Sequence, residues 1–300
     1  MSHYSVMVLG EDPQTQLAPY HQFECTGQEA YIQSIDKTEE YKKDYLKNYQ
    51  KDPDFYDFQS FIEGYYGFKK VPFGENPILN DSNHKYGYYL VDEDDNIFKV
   101  VERTNPNYKW DYYILGGRWY GFFTKKIPTI MPSKSMSLKK TLQNVYDMTH
   151  RRSNSLLKKD IDFQSMASAA KIKASTEYDI FYDVVRGYNK PLPLEYFYTN
   201  HDKYDNPEIA YQDQEAISAM DVARKEGLID NFNLYESYGE SREYYINKKG
   251  METVLTYAYV ENGIWTEREN VNYDDWLLER YNYVMGLPDN TLISIYDCHI

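Results

Sequence analysis

The chain has 300 residues, 42% hydrophobic and 27% charged, enough apolar material for one large core or two smaller ones. With 47 acidic residues against 33 basic ones its net charge is −14, which disfavours direct contact with nucleic-acid phosphates or an anionic membrane and suits a basic partner as well as plain solubility. No apolar run has the length of a membrane helix, and Cys25 and Cys298 lie at opposite ends with no CxxC pair, so zinc-knuckle and thioredoxin-type chemistry are not expected and both thiols are expected free in a reducing compartment.

Residues 3–9, "HYSVMVL", carry β-branched and aromatic side chains and stop at Gly10, so a buried strand is predicted. In "TEEYKKDYLKNYQ" (38–50), Tyr41, Tyr45 and Tyr49 recur every fourth position, which predicts a helix with one aromatic stripe. Asp36 precedes Glu39 by three, the spacing of a capping box at that helix start. "DFQSFIEGYYG" predicts a short helix ended by Gly67. "KYGYYLV" and "IFKVVERT" flank the acidic "DEDDN" as the arms of a hairpin. Gly116-Gly117 between "DYYIL" and "RWYGFF" predicts a second hairpin with a two-residue turn.

Helix-forming composition dominates from about 133 to 228. It covers "SLKKTLQNVYDMTHRRSNSLLKK", "SMASAAKIKASTEYDIFYDVVRG" and, after Pro191 and Pro193, "PEIAYQDQEAISAMDVARKEGL". The basic His150-Arg151-Arg152 cluster reads as a solvated helix face or a docking site. "METVLTYAYV-ENG-IWTERE" is a third hairpin, with Asn262-Gly263 suited to a type I′ turn. "YDDWLLERYNYVMG" then predicts a helix and "NTLISIYDCHI" a final strand. The fold class expected is α+β: a mixed, largely antiparallel sheet containing the N- and C-terminal strands, with a central helical insertion. The expected parts are a β-rich 1–130, a helical 131–235, and a 236–300 segment returning to the main sheet.

The usual phosphate-loop, dinucleotide, nucleophile-elbow, zincin and EF-hand signatures are missing. Two constellations remain. Asp297 and His299 share one face of the last strand, and His3 joins them if the first and last strands are antiparallel neighbours. His3, Asp297 and His299 would then offer a two-histidine, one-carboxylate site for a divalent metal; the competing reading is a buried strand with a satisfied His–Asp hydrogen bond. The second constellation is Arg118, flanked by Trp110, Tyr112 and Trp119. It could bind a phosphate or carboxylate with aromatic stacking, or pair with Asp111 and lock the hairpin.

The opening "SHYSVMVLGEDPQTQLAPYHQFECTG", the central "PFGENP" and "WDYYILGGRWYGFF", and the closing "LPDNTLISIYDCHI" resemble a family of proteins encoded by bacteriophages and prophages. The likeness touches both ends and the middle, and is loose over the helical region and "IWTERENVNYDDW". It brings no catalytic residues. It implies an accessory protein in the host bacterial cytoplasm, which inhibits a host immune complex, for example a Gabija-like nuclease system, by direct protein binding and without a cofactor. Such binders act alone or as homo-oligomers, and tyrosine-rich surfaces suit them; this chain has 34 tyrosines. Two alternatives stand beside this expectation: a small metal-dependent enzyme built on His3, Asp297 and His299, and a sponge that sequesters a nucleotide signal with Arg118 and its aromatic neighbours.

Overall fold

Strand-forming residues from both ends of the chain meet in one sheet. The computed structural model describes residues 2–126, 151–228 and 239–300. In chain order the elements used below are β1 (His3–Leu9), α1 (Pro13–Leu17), α2 (Phe23–Thr26), β2 (Gln33–Asp36), α3 (Thr38–Asp44), α4 (Phe58–Tyr65), β3 (Lys69–Val71), β4 (Gly87–Val91), β5 (Ile97–Thr104) and β6 (Tyr112–Leu115). They continue with β7 (Phe123–Thr124), β8 (Arg152–Ser153), β9 (Ser155–Leu157), α5 (Phe163–Val185), α6 (Leu194–Thr199), α7 (Pro207–Gln212), α8 (Glu215–Lys225) and α9 (Arg242–Met251). The last are β10 (Ala258–Glu261), β11 (Ile264–Glu267), α10 (Tyr273–Gly286) and β12 (Leu292–His299). The fold is α+β, and no helix among the described residues is long and apolar enough to cross a membrane.

Two compact units divide these elements. The first comprises residues 1–119, 257–267 and 293–300; the second comprises 120–256 and 268–292. The expected helical part at 131–235 therefore falls in a unit that also takes in β7 and, from beyond 236, α9 and α10.

The main sheet of the first unit runs in the order β11-β10-β1-β12-β6. β1 is parallel to β10 and antiparallel to β12, with His3 opposite His299 and Leu9 opposite Ile293. β12 is antiparallel to β6, with His299 opposite Tyr112. One face buries Val6, Val8, Ala258, Val260, Tyr296 and Cys298 against Leu17 and Trp110. Full burial of a side chain of this kind contributes roughly 2 kcal/mol, and the indole N–H of Trp110 is satisfied by the Leu17 carbonyl at 3.1 Å. The β10–β11 hairpin turns on Asn262 and Gly263 at φ 52° and 75°, the paired positive values that a type I′ turn needs.

A second sheet, β2-β5-β4-β3, carries the expected β4–β5 hairpin. Its acidic turn is held by the Asp92 carboxylate, which accepts the backbone N–H groups of Asp94 and Asn96. The tyrosine stripe is as expected: Tyr41, Tyr45 and Tyr49 pack with Phe61, Ile62 and Tyr89 in one aromatic cluster. The stripe bends out of α-helical geometry, since Tyr45–Tyr49 is a π-helical turn. No capping box forms between Asp36 and Glu39; Lys37 is the N-cap, and Asp36 instead accepts the backbone N–H and hydroxyl of Thr38. The capping box lies at α4, where Asp57 and Ser60 exchange hydrogen bonds.

In the second unit, α5 presents Ala174, Phe181 and Val185 to Ala216, Met220 and Ala223 of α8 and Tyr245 of α9. Small alanines on both helices let them approach closely around the larger Phe181 and Met220. The helix expected over 137–159 is not formed in its described part, where Arg152–Ser153 and Ser155–Leu157 are short strands; its remainder, His150 included, lies outside the described residues. Arg151 does not face solvent unpaired, because it bonds Asp162 at 2.8 Å.

Candidate functional site

β1 and β12 bring the chain ends together in the register the sequence predicts. His3, Ser5 and Met7 alternate with Tyr4, Val6 and Val8 along β1, and Asp297 and His299 alternate with Tyr296 and Cys298 along β12. One face of this strand pair is apolar core; the other carries the imidazoles and the carboxylate at its end.

His3 Nδ1 lies 2.8 Å from Asp297 Oδ1. The other oxygen of Asp297 accepts the backbone N–H of Arg118 at 2.9 Å. The Asp297 side chain is only 4% exposed, so both oxygens are satisfied where an unpaired charge would be costly. His299 Nδ1 lies 2.8 Å and 2.9 Å from the two oxygens of Asp111. The two imidazoles meet edge to face, ring centres 4.9 Å apart, and Tyr112 stacks on His299 at 4.7 Å. Because an ionised carboxylate only accepts, each Nδ1 carries its proton toward its partner, and each Nε2 becomes the group available for other work.

The Gly-Gly pair makes this possible, though not by the expected hairpin. β6 pairs with β12, and residues Gly117–Trp119 form a single 3-10 turn rather than a returning strand. β7 pairs with β8. At Gly117 the backbone comes so close to Asp297 that an added Cβ would sit 2.3 Å from Asp297 Cβ, and φ is +47°. Glycine alone fits that approach, which aims the next N–H at the carboxylate.

Of the other residues singled out by sequence, Trp110 is 5% exposed and belongs to the core, so its ring is not offered to a ligand. Tyr112 and Arg118 are exposed, and Trp119 is half-buried in the 3-10 turn. Arg118 does not pair with Asp111, whose carboxylate is taken by His299; the part of Arg118 that binds within the site is its backbone N–H. His3, Asp297 and His299 are gathered as the metal reading requires. Their arrangement, however, is two histidine–carboxylate pairs, and among the described residues no group of three or more His, Cys, Asp or Glu is placed to hold a metal ion. Cys298 points into the apolar face, where burial pushes its thiol well above the usual range and keeps it unreactive.

Sequence reasoning missed Asp111 as a partner of His299. Its signal lay in treating β6 as a third strand beside β12, which sets Tyr112 opposite His299 and Asp111 at the strand entrance. "WDYYILGGR" and "YDCHI" are thereby two halves of one site. No family model matches the chain, and no curated protein or solved structure matches it either.

Proposed function

We propose that the paired histidines form an acid–base site that acts on a small molecule. The observation that carries this reading is the twin arrangement itself: two adjacent imidazoles, each with Nδ1 held by a carboxylate. Such a pair divides proton transfer. One neutral Nε2 takes a proton from a water as its oxygen attacks an ester or phosphoester. The other, protonated, gives its proton to the departing oxygen, so the bond to the leaving group breaks as the bond to water forms. His3, with 16% of its side chain exposed against 5% for His299, is the more accessible member. With the resemblance to phage-encoded accessory proteins, this makes the chain an anti-defence protein that removes a host signal molecule.

The test is release of 4-nitrophenolate from bis(4-nitrophenyl) phosphate and 4-nitrophenyl acetate. General acid–base catalysis contributes roughly a hundredfold or more, so His3→Gln and His299→Gln should each lose about that factor while circular dichroism still shows a folded protein. No release by the wild-type protein, or release indifferent to both substitutions, would sink the reading.

A second reading keeps the chain a non-catalytic blocker of a host immune complex. It is supported by the acidic surplus of −14 and by outward aromatics such as Tyr56 and Tyr120, 85% and 81% exposed. It requires co-purification with a host defence complex from infected cells. Failure of that capture, together with no protection of phage, counts against it.

A further inference from the structure

Residues of β1 and β11, with Tyr108, Lys109 and Tyr257, also line an open cavity of about 480 Å³ within the first unit. Tyr4, Tyr257 and Trp265 provide aromatic walls. The Tyr4 ring centre lies 4.9 Å from that of Tyr257 and 6.3 Å from that of Trp265. Each ring is held in place. Tyr4 donates its hydroxyl to the Lys109 carbonyl, and the indole N–H of Trp265 donates to Glu267 at 3.0 Å. Tyr257 is 56% exposed and keeps one side of the cavity open to solvent. Fixed aromatic rings around a space of this size suit a planar ring, because stacking then costs little ordering.

Among the described residues that line the cavity, Lys109 is the one lysine or arginine. Its ammonium donates to Glu267 at 2.7 Å, leaving further N–H donors on the same nitrogen. Burial raises the Glu267 carboxyl, but bonds from Lys109 and Trp265 outweigh it and hold the group below its ordinary value. The carboxylate therefore stays charged and anchors Lys109 against the aromatic walls. His3, the residue before Tyr4 on β1, also lines the cavity, while its imidazole bonds Asp297 on the other face of the strand.

The geometry points to a nucleotide as the ligand of this cavity: its base stacks among Tyr4, Tyr257 and Trp265, and Lys109 takes its phosphate. The assignment deepens the acid–base reading and rests on it for the placing of the ligand beside His3. Stacking and charge make separate contributions, so the two can be removed one at a time.

Isothermal titration with adenosine 5′-monophosphate, adenosine and inorganic phosphate tests it on the full-length protein. The wild type should bind the monophosphate saturably and more tightly than adenosine or phosphate. Trp265→Leu should weaken monophosphate and adenosine at least tenfold. Lys109→Gln should weaken only the monophosphate. Tyr257→Leu, at an exposed position with little structural cost, guards against misfolding of the tryptophan variant and should weaken adenosine and its monophosphate in the same sense. Absence of saturable monophosphate binding by the wild type, or affinities unmoved by Trp265→Leu and Tyr257→Leu, overturns the proposal, and equal affinity for adenosine and its monophosphate overturns the role of Lys109. Saturable binding by a protein that hydrolyses no ester would leave the cavity standing and remove the acid–base reading. Hydrolysis without nucleotide binding would do the reverse.

Discussion

Asp297 shows how few atoms decide the site. It is nearly buried, and among the described residues its partners are the His3 imidazole and the backbone N–H of Arg118. That N–H arrives only because Gly117 has no side chain. Gly117→Ala should therefore destabilise the protein by about 2 kcal/mol or more through left-handed strain and overlap, and urea titration should show the loss; a midpoint equal to wild type would contradict it. Glu267 gives a second residue-scale expectation. Its carboxyl is lowered in the folded state, so its stabilising contribution is present above the unfolded value of about 4.3 and disappears as pH falls through the lower folded one. Denaturation midpoints of wild type and Glu267→Gln should differ at neutral pH and converge in acid. A constant gap would show that packing, not charge, sets the difference. At this scale the sequence was partly legible. His3, Asp297 and His299 could be read because alternation along two strands fixes their face, whereas Asp111 could not, since its partner depends on a third strand whose neighbour is set by tertiary pairing.

At the scale of elements, local signals were reliable where they were complete within a few residues. Asn262-Gly263 specifies its turn by backbone conformation alone, and the four-residue tyrosine spacing specifies a helical stripe. Gly116-Gly117 misled because the same glycine pair serves a hairpin or a close approach, and only the position of Asp297 separates them. The helix expected over 137–159 failed in its described part because composition says nothing about available pairing partners, and Arg152–Ser153 finds one in β7. The end of α10 illustrates a stabilising contact without a sequence signature. Lys158 bonds the carbonyls of Met285, at 2.6 Å, and Leu287, which the helix leaves without partners. Its charge also complements the helix C-terminus. Lys158→Met should cost about 1–2 kcal/mol, read as a lower melting temperature. An unaltered transition would mean that water replaces the ammonium at no cost.

For the whole molecule, the succession of strand and helix patterns indicated the α+β class, composition indicated the acidic character, and the two terminal strand patterns indicated a shared sheet. The unit boundaries were less legible, because the chain passes from one unit to the other at residues 119–120, 256–257, 267–268 and 292–293. Gly116, Gly117 and Gly121 around the first crossing and Glu267-Arg268-Glu269 at the third do not read as linkers, since each lies next to strand-forming sequence. The effect of the crossings is that neither unit is a contiguous stretch of sequence.

The central position of β1 has a consequence for synthesis. Both of its neighbours, β10 and β12, lie more than 240 residues further along the chain. β1 must wait, unpaired, while the residues that separate it from β10 and β12 are made. Pairing over such distance is slow, and an apolar strand waiting that long is open to mispairing. The same wait acts as a check on completeness: a ribosome that stops before residue 297 yields a chain with neither histidine pair. The site thus exists only on molecules translated through β12.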